Sequence, residues 1–433
     1  MISFGPVFQG QRFAVLGLGR AGLPAATALT QMGAEVFVWD DSDAARSGAK
    51  NFTVMRPSDV PGKLDALLLS PGIAHRLPVP HEQAAWAVAQ GVPVLTDAEL
   101  LYRAVRKSGS RAKFAGITGT NGKSTTTALL AHICTIAGIP NAAGANLGPA
   151  ALSLPLLPDA GVYVLEMSSY MLERIVTLRF DVAAMLNLSP DHLDRHGDMA
   201  GYAMAKREIF ARQEKGDTAV IGIDDAPSRQ MAAWLRSQPA PIVEISGATF
   251  EVRDAKALPG AHNAQNAAAA AAMARALNIP DAAIAEGIRT YPGLAHRQQE
   301  VARVHSVRFI NDSKATNADA ASRAMGCYER FVWIAGGVGK AGGIEDLAPF
   351  FPRVAKAFLI GRDADSFAAT LARHGVAHEV AGSLDVAVQA AFAWAQASDV
   401  QEVLFSPAAA SFDQFQNFEQ RGECFAQVAR DLA

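Results

Sequence analysis

The chain has 433 residues, a length that predicts two or three domains of ordinary size. Half of the residues are hydrophobic and 19% are charged, which excludes a disordered chain and favours several buried cores. With 39 basic and 42 acidic residues the formal charge is −3, so the composition argues against a protein that coats nucleic acid.

The cysteines and the N-terminus indicate the compartment. Cys134, Cys327 and Cys424 are odd in number and far apart, and they match neither a zinc spacing nor a disulfide framework. The N-terminus has no basic stretch followed by an apolar core, and no apolar run reaches the roughly 18 residues of a membrane span. We therefore expect a soluble cytoplasmic protein without a signal peptide, a membrane insertion or a nucleic-acid partner.

Short β-rich runs alternate with longer helical stretches along the chain, which predicts α/β architecture with parallel sheets. Strands are predicted, in chain order, at 12–16, 35–39, 66–69, 114–117, 162–165, 182–186, 219–223, 307–310, 331–335, 357–360 and 403–405. The alanine-rich run 264–277 is predicted to be a helix. The polar, basic stretch 102–113 is interpreted as a linker.

The order of these strands and helices predicts three consecutive α/β domains. Their boundaries are 1–106, 107–297 and 298–433, and the first and last are expected to be Rossmann-like. The domain between them is expected to be a parallel-sheet domain of the P-loop ATPase type.

The segment FAGITGTNGKSTTT, residues 114–127, predicts a phosphate-binding loop between a strand and a helix. Backbone N–H groups at such a helix start, together with the helix dipole, favour phosphate. Lys123 would reach the β- and γ-phosphates, and the Ser124 hydroxyl would bind Mg²⁺. Ile117 stands where the usual pattern has glycine, so the loop is a variant. The alternative is a glycine-rich turn that only caps a helix.

Two further residues point to a metal near this loop. Glu166 follows the predicted strand 162–165, and a carboxylate at the C-terminal edge of a parallel strand is well placed to bind Mg²⁺. His192 lies in a polar segment past the next strand. The alternatives are an ordinary helix N-terminal acid and a structural or surface histidine.

The first domain contains GLGRAG, residues 17–22, with Asp40 at the end of the next strand. Locally this is a dinucleotide-binding pattern, and an NAD-dependent oxidoreductase is one interpretation. Because an ATP loop is predicted elsewhere, a UDP-linked substrate is an equally good occupant. Ser70, Pro71 and Gly72 follow a later strand and either face the same crevice or form a tight turn.

The loop GTNGKSTTT resembles the ATP-binding signature of the Mur ligase family, the ATP-dependent amide ligases of peptidoglycan precursor synthesis. Six more segments are similar to that family: EMSSYMLE, NLSPDHLDRHG, AKRE, GAHNAQN, NDSKATN and SPAAASFDQFQNFEQRG. The resemblance extends from Gly17 to Gly422.

The resemblance implies ATP and Mg²⁺. The implied ATP contacts are Gly119, Thr120, Asn121, Gly122, Lys123, Ser124, Thr125, Asn263, Asn266, Arg297 and Asp312. The implied metal site comprises Ser124, Glu166, His192 and a carbamate formed from CO₂ on Lys206. Carbamate formation needs the neutral amine, so Lys206 should be desolvated or near other cations. Lys123, Glu166, His192 and Lys206 are the implied catalytic residues.

The resemblance also implies two substrates, UDP-N-acetylmuramoyl-L-alanine in the first domain and D-glutamate in the third. The implied contacts of the UDP-linked substrate are Leu18, Gly19, Arg20, Asp40, Asp41, Ser70, Pro71, Gly72, Asn146 and His192. The implied contacts of the amino acid are Lys314, Thr316, Lys340, Ser411 and Phe418. Residue type alone also allows purely structural roles without ligand contact. These are helix caps for the asparagines, surface positions for Arg297 and Lys340, and a core position for Phe418.

The implied reaction joins D-glutamate to the UDP-linked substrate through an acyl phosphate, in a protein that we expect to be a monomer. Four alternatives stay open: the same chemistry with L-glutamate, a sister ligase such as a folylpolyglutamate synthase, an oxidoreductase, and a non-catalytic UDP-sugar sensor.

Overall fold

Three sheets follow one another along the chain in this computed structural model, which describes residues 4–252, 254–255, 257–340 and 342–432. Among the described strands every pairing is parallel except one. The α/β class and the three-domain architecture predicted above are thereby confirmed. No helix in the described part of the chain is long and apolar enough to cross a membrane.

The first sheet has the strand order β3-β2-β1-β4-β5. Its strands are β1 (Arg12–Leu16), β2 (Glu35–Trp39), β3 (Thr53–Val54), β4 (Ala66–Leu69) and β5 (Val94–Leu95). Its helices are α1 (Gly22–Gln31), α2 (Asp43–Gly48), α3 (Glu82–Ala89) and α4 (Asp97–Lys107). Leu16 pairs with both Trp39 and Leu69, so three strands end at one edge, where a site can form.

The second sheet has the order β11-β10-β9-β6-β8-β7. Its strands are β6 (Lys113–Thr118), β7 (Asn141–Ala145), β8 (Val162–Glu166), β9 (Val182–Met185), β10 (Thr218–Gly222) and β11 (Ile242–Ile245). Its helices are α5 (Lys123–Ile136), α6 (Ser169–Leu172), α7 (Leu193–His196), α8 (Met199–Arg207), α9 (Ala226–Leu235), α10 (Ala261–Ala276) and α11 (Asp281–Thr290). Helix α10 is buried on almost every side, because its alanines let neighbouring elements approach closely.

The first two sheets belong to one compact unit, which extends to Ala255 and includes Ala261–Tyr291. They share a hydrophobic core in which Leu101 of α4 and Phe114 of β6 are both fully buried. The predicted linker 102–113 was therefore wrong. Its first half completes α4, whose buried side carries Leu100 and Leu101, and Lys113 begins β6. The helical spacing of Leu101, Ala104 and Val105, all buried, was the signal that the polar composition concealed.

The third sheet has the order β12-β13-β17-β14-β15-β16 and belongs to a second compact unit, which contains Pro292 and the described residues that follow it. Its strands are β12 (Gln299–Val304), β13 (Val307–Asn311), β14 (Phe331–Gly336), β15 (Val354–Ile360), β16 (His378–Gly382) and β17 (Glu402–Phe405). Its helices are α12 (Ala318–Met325), α13 (Ala364–Arg373), α14 (Leu384–Ser398) and α15 (Phe418–Arg430). The antiparallel pair is β12 with β13, and hydrophobic clusters cover the sheet.

The predicted strands all exist, with ends that differ by a few residues. Six observed strands were not predicted, namely β3, β5, β7, β11, β12 and β16. These six are the outer strands of the three sheets. An outer strand is short or only half covered, so it lacks the continuous apolar run that marks a central parallel strand.

Candidate active site

The loop between β6 and α5 has the backbone of a phosphate-binding loop. Gly119 and Gly122 both have positive φ, and Gly122 precedes the first residue of the helix. A Cβ atom on Gly122 would lie 2.0 Å from Oδ1 of Asn266, so only glycine allows α10 to approach the loop. The N–H groups at the start of α5 are therefore presented to an anion by a tightly supported turn.

Lys123, the first residue of α5, folds back over this loop. Its Nζ donates to the carbonyl oxygens of Gly119 (3.0 Å) and Thr120 (2.8 Å). Ser124 and Thr125 are buried directly behind it. The structure thus brings together the seven loop residues predicted to contact ATP, residues 119–125.

Asn187 is a supporting residue of the loop that sequence reasoning missed. Its Oδ1 accepts the N–H of Asn121 at 2.9 Å, and its Nδ2 donates to the carbonyl oxygen of the same residue at 3.2 Å. The same Nδ2 also donates to Oε1 of Gln265 on α10 at 3.0 Å. Its position after a central strand was the available signal. Next to Gln265, Nδ2 of Asn266 donates to Oδ1 of Asn263, both predicted ATP contacts.

Lys206 lies at the end of α8, and only 1% of its surface is exposed. Its Nζ donates to the carbonyl oxygen of Gly119 at 2.8 Å and lies 4.6 Å from the ring centre of Tyr202, one helical turn earlier. Burial, and then the nearby Lys123 ammonium, hold the pKa of Lys206 well below its usual value. A lowered pKa favours the neutral amine, which is the form that carbamate chemistry requires.

Glu166 ends β8 and is also buried. Its Oε1 accepts a hydrogen bond from Nδ2 of Asn146 at 2.5 Å, whereas its Oε2 has no hydrogen-bond partner among the described residues. A buried carboxylate oxygen without a donor is suited to a cation, so the predicted magnesium ligand fits the structure.

His192 has a left-handed backbone and a half-exposed ring beside Tyr170. Burial lowers its pKa, while Asp191 raises it and the cations of Lys123 and Lys206 lower it further. No group of three or more His, Cys, Asp or Glu side chains in the described ranges could hold a metal ion. A magnesium site here would depend on Glu166 and His192 together with the Ser124 hydroxyl and a modified Lys206.

A cleft of about 560 Å³ lies within the first unit, at the C-terminal edge of the first sheet. It is lined by seven of the predicted contacts of the UDP-linked substrate: Gly19, Arg20, Asp40, Asp41, Ser70, Pro71 and Asn146. Leu18, Gly72 and His192 do not line it. Leu18 packs into the core, and the carbonyl oxygen of Gly72 accepts a hydrogen bond from Arg195.

The glycine loop of this cleft is closely packed. A Cβ atom on Gly22 would lie 1.8 Å from the carbonyl oxygen of Gly17, and that oxygen accepts the hydroxyl of Ser70 at 2.9 Å. Asp40 accepts the N–H groups of Leu18 (2.7 Å) and Ser42 (2.9 Å), so its carboxylate fixes the loop. Asp41 pairs with His81, which lowers the pKa of the Asp41 carboxyl.

The second unit contains a separate polar centre, at the ends of β13, β14 and β17. Asp312 is buried there and accepts the hydroxyl of Ser406 (2.8 Å) and the N–H of Gln298 (3.2 Å). Burial raises the pKa of Asp312 to about 7, against the lowering effect of Ser406 and Arg297. The Nζ of Lys314 lies 5.3 Å from the ring centre of Phe418, which is half-buried rather than a core residue.

Two loops of this unit carry the other predicted amino-acid contacts. Val338 and Ala410 exchange backbone hydrogen bonds, so the exposed Lys340 and the buried Ser411 lie on paired segments. Arg421, missed by sequence reasoning, donates to the carbonyl oxygens of Ala409 (3.0 Å) and Ser313 (2.8 Å). Its fork joins the Ser411 segment to the loop that carries Lys314 and Thr316.

Comparisons with known proteins identify the family of the chain. The family model "Mur ligase middle domain" matches residues 117–257. A relative from Caulobacter vibrioides, named UDP-N-acetylmuramoylalanine--D-glutamate ligase, is 47% identical over 458 residues, covering 98% of this chain and 97% of the relative. A relative of the same name from Paramagnetospirillum magneticum is 45% identical, with 98% and 97% covered.

Solved structures of more distant proteins share the fold. The UDP-N-acetylmuramate-alanine ligase MurC of Thermotoga maritima matches with a TM-score of 0.60 at 16% identity, covering 98% of this chain and 100% of that chain. MurF of Acinetobacter baumannii matches with a TM-score of 0.60 at 19% identity, covering 78% and 81%.

The chain belongs to the Mur ligase family. The family resemblance read from the sequence is thereby confirmed. Within that family it belongs with the UDP-N-acetylmuramoylalanine--D-glutamate ligases, the name shared by relatives that are 42–47% identical over almost their whole length.

Proposed function

We propose that the protein joins D-glutamate to UDP-N-acetylmuramoyl-L-alanine at the expense of ATP, in peptidoglycan precursor synthesis. The names of its relatives support this reaction. The domain roles follow: the first domain (1–106) binds the UDP-linked substrate, the second (107–297) binds ATP, and the third (298–433) binds the amino acid. We further propose that the protein works in the cytoplasm as a monomer.

The observation that carries the proposal is the position of Asn146. This residue lines the cleft, and its side chain donates to Glu166, which pairs with Ile117 on the strand that leads into the phosphate loop. A substrate carboxylate at this end of the cleft therefore lies beside the place where a γ-phosphate would bind. Such proximity is what the first chemical step needs.

In the first step a carboxylate oxygen of the UDP-linked substrate attacks the γ-phosphorus, and the bond to the β-phosphate oxygen breaks, which releases ADP. Lys123 and the N–H groups at the start of α5 neutralise the charge on the transferring group. Glu166, His192 and Ser124 would hold Mg²⁺, which supplies Lewis-acid stabilisation of phosphate oxygens when it is bound. Asn263 and Asn266 contact ATP from α10.

In the second step the amine of D-glutamate attacks the acyl carbon and a new C–N bond forms. The C–O bond to phosphate breaks, phosphate leaves, and the nitrogen loses its proton to phosphate or solvent. Lys314 and Lys340 bind the two carboxylates of the amino acid, with Thr316 and Ser411 as neutral donors and Phe418 as an apolar wall. Asp312 and Arg297 contact ATP from the same unit.

Lys206 acts as a carbamate in this proposal. Its neutral amine attacks the carbon of CO₂, a new N–C bond forms, and the nitrogen loses one proton to solvent. The product is an anion beside Glu166 and Lys123. The low pKa of Lys206 and its position beside the phosphate loop support this modification.

The decisive experiment measures phosphate release across a panel of D- and L-amino acids with ATP, with and without UDP-N-acetylmuramoyl-L-alanine. We expect release only with that substrate and D-glutamate together. Efficient release with L-glutamate would change the stereochemical assignment, and no release with any amino acid would contradict the ligase. Lys123→Ala should abolish release while calorimetry still detects binding of the UDP-linked substrate, because that substrate occupies the cleft.

A further inference from the structure

Arg174 is a fully buried cation that the proposed mechanism does not use. Only 2% of its surface is exposed, and it lies two residues beyond α6 in the first unit. Removing a charge from water is costly unless hydrogen bonds replace the solvent. Burial lowers the pKa of its guanidinium to about 10, so the group is still charged at neutral pH. A guanidinium that stays charged despite this loss of solvation suggests a functional role.

The guanidinium makes its hydrogen bonds to backbone carbonyl oxygens. One bond, from Nε, goes to Tyr170 at 2.8 Å. The others reach the end of β4, where the acceptors are Leu69 (2.7 Å), Ser70 (3.3 Å) and Pro71 (3.4 Å). A single planar fork therefore fixes three successive carbonyl groups of another domain.

This loop separates Arg174 from the cleft. Ser70 and Pro71 line the cleft of about 560 Å³, whereas Arg174 lines a different cavity of about 720 Å³, next to His75. The Ser70 hydroxyl then donates to the Gly17 carbonyl, so the same fork also supports the glycine loop of the cleft. The guanidinium thus acts on both loops that face the ligand, without touching the ligand itself.

The direction of the carbonyl groups has a chemical consequence. A carbonyl oxygen that faced the cleft would repel a diphosphate. The fork holds the carbonyl oxygens of Leu69 and Pro71 on its own side, and it shares that of Ser70 with the Ile73 N–H (3.1 Å). The buried positive charge adds a favourable field for an anion.

We propose that Arg174 is a positioning residue for the diphosphate of the UDP-linked substrate, acting by withdrawing the carbonyl oxygens of Leu69 and Pro71 from the cleft. This inference rests on the proposed function for the identity of the ligand. It adds a residue that lies outside the motifs of the site. It also means that the second domain, which contains Arg174, contributes to diphosphate affinity at the glycine loop of the first domain.

The test compares Arg174→Met, Arg174→Lys and the control Arg212→Met by calorimetry with UDP-N-acetylmuramoyl-L-alanine and with UDP. Arg212 is a matched control because it also donates to backbone carbonyls, those of Leu178 and Glu208, but away from the cleft. We expect the methionine variant to weaken both ligands at least tenfold. The lysine variant should weaken them about three- to tenfold, since one ammonium keeps the charge but not the fork.

Three further readings complete the test. The affinity for ATP, also measured by calorimetry, should stay within twofold in each variant, and Arg212→Met should leave all affinities within twofold. Unchanged affinity for UDP in both Arg174 variants, or an equal loss of affinity for ATP, would overturn the proposal. If Arg174→Met does not fold, the lysine variant alone decides. Because binding is measured without turnover, a wild-type protein that binds UDP but forms no product would refute the proposed function and leave this test valid.

Discussion

Lys206 combines burial with a neighbouring cation, and each disfavours the protonated amine. Its Nζ lies beside the phosphate loop, within the electrostatic influence of Lys123 and Glu166. Lys123 disfavours a protonated amine at this point, but it would stabilise the anion that the proposed modification creates. The residue is therefore best tested by restoring the anion rather than by replacing the lysine alone.

We predict that Lys206→Ala is nearly inactive and that acetate or formate partly restores its activity, since a small carboxylate can occupy the vacated volume. The measurement is the ligation rate against carboxylate concentration, with the exposed Lys215→Ala as a control that should neither lose activity nor respond. Activity of Lys206→Ala close to that of the wild type would contradict the proposed carbamate.

The amino-acid site gives a second prediction for single residues. Lys340→Ala or Ser411→Ala should raise the apparent KM for D-glutamate at least tenfold, a loss of about 1.4 kcal/mol, because each removes a donor to a carboxylate. The KM for the UDP-linked substrate should change much less. Steady-state kinetics measure both, with Lys356→Ala as a control lysine whose ammonium pairs with Glu379. If the variants raised only the KM for the UDP-linked substrate, the assignment of this unit to the amino acid would be wrong.

Sequence reasoning found the residues whose chemistry is local. Lys123 and Ser124 follow a glycine-rich turn, and Glu166 ends an apolar strand, so pattern and position were visible together. Asn187, Arg174 and Arg421 were missed because each bonds to a backbone group more than 60 residues away in the chain, and the local sequence gives no sign of that partner. The proposed carbamate requires that Lys206 be buried, but the sequence of its helix does not predict that burial.

At the level of elements, one carboxylate joins α4 to the loop that precedes β9 in the second domain. Glu99 is fully buried and accepts the N–H groups of Val176 (2.9 Å), Thr177 (3.0 Å) and Leu178 (2.9 Å). Burial alone would raise the pKa of Glu99, but the Thr177 side chain and these N–H groups lower it more, so the net pKa lies below the usual value.

A group with a depressed pKa contributes stability above its unfolded pKa, about 4.3 for glutamate, and loses that contribution as the pH falls. We predict that Glu99→Gln lowers the free energy of unfolding of the first unit by roughly 2 kcal/mol at pH 7 and by less at pH 4. Urea unfolding at the two pH values measures this. The control is Glu208→Gln, which changes a partly exposed carboxylate paired with Arg212. An equal loss for both variants would show that Glu99 has no special role.

The elements that sequence reasoning recovered were the central strands, since a strand covered on both faces is an uninterrupted apolar run. The outer strands β7 and β12 were missed for the opposite reason: NAAGA and QEVARV contain no such run. Helix α4 was lost in part because its exposed side supplies the polar residues that were read as a linker.

For the molecule as a whole, the residues proposed to bind the UDP-linked substrate lie in one compact unit and those proposed to bind the amino acid lie in the other. We predict that UDP-N-acetylmuramoyl-L-alanine alone slows amide exchange at residues 17–22 and 70–73, and that D-glutamate alone slows it at residues 311–317. Hydrogen-exchange mass spectrometry makes the comparison. Protection of the cleft loops by D-glutamate alone would contradict this assignment of ligands to units.

The three-domain plan was predictable, because strand and helix runs change in sequence order. The joining of the first two sheets into one unit was not. It depends on Leu101 packing into the same core as Phe114 and on the bonds of Glu99 and Arg174, which connect positions some 75 to 105 residues apart. Composition and local spacing contain no information on such pairs.

The alanine helix α10 has a consequence for how this protein can fail. Its alanines present similar methyl groups on every side, so they specify the rotation of the helix about its own axis only weakly. The amides of Asn263, Gln265 and Asn266 at one end and the buried Met273 further along specify that rotation instead. Loss of one alanine between Asn266 and Met273 would turn one end of the helix by about 100° relative to the other. The amides at the phosphate loop and the methionine in the core could then not both keep their places.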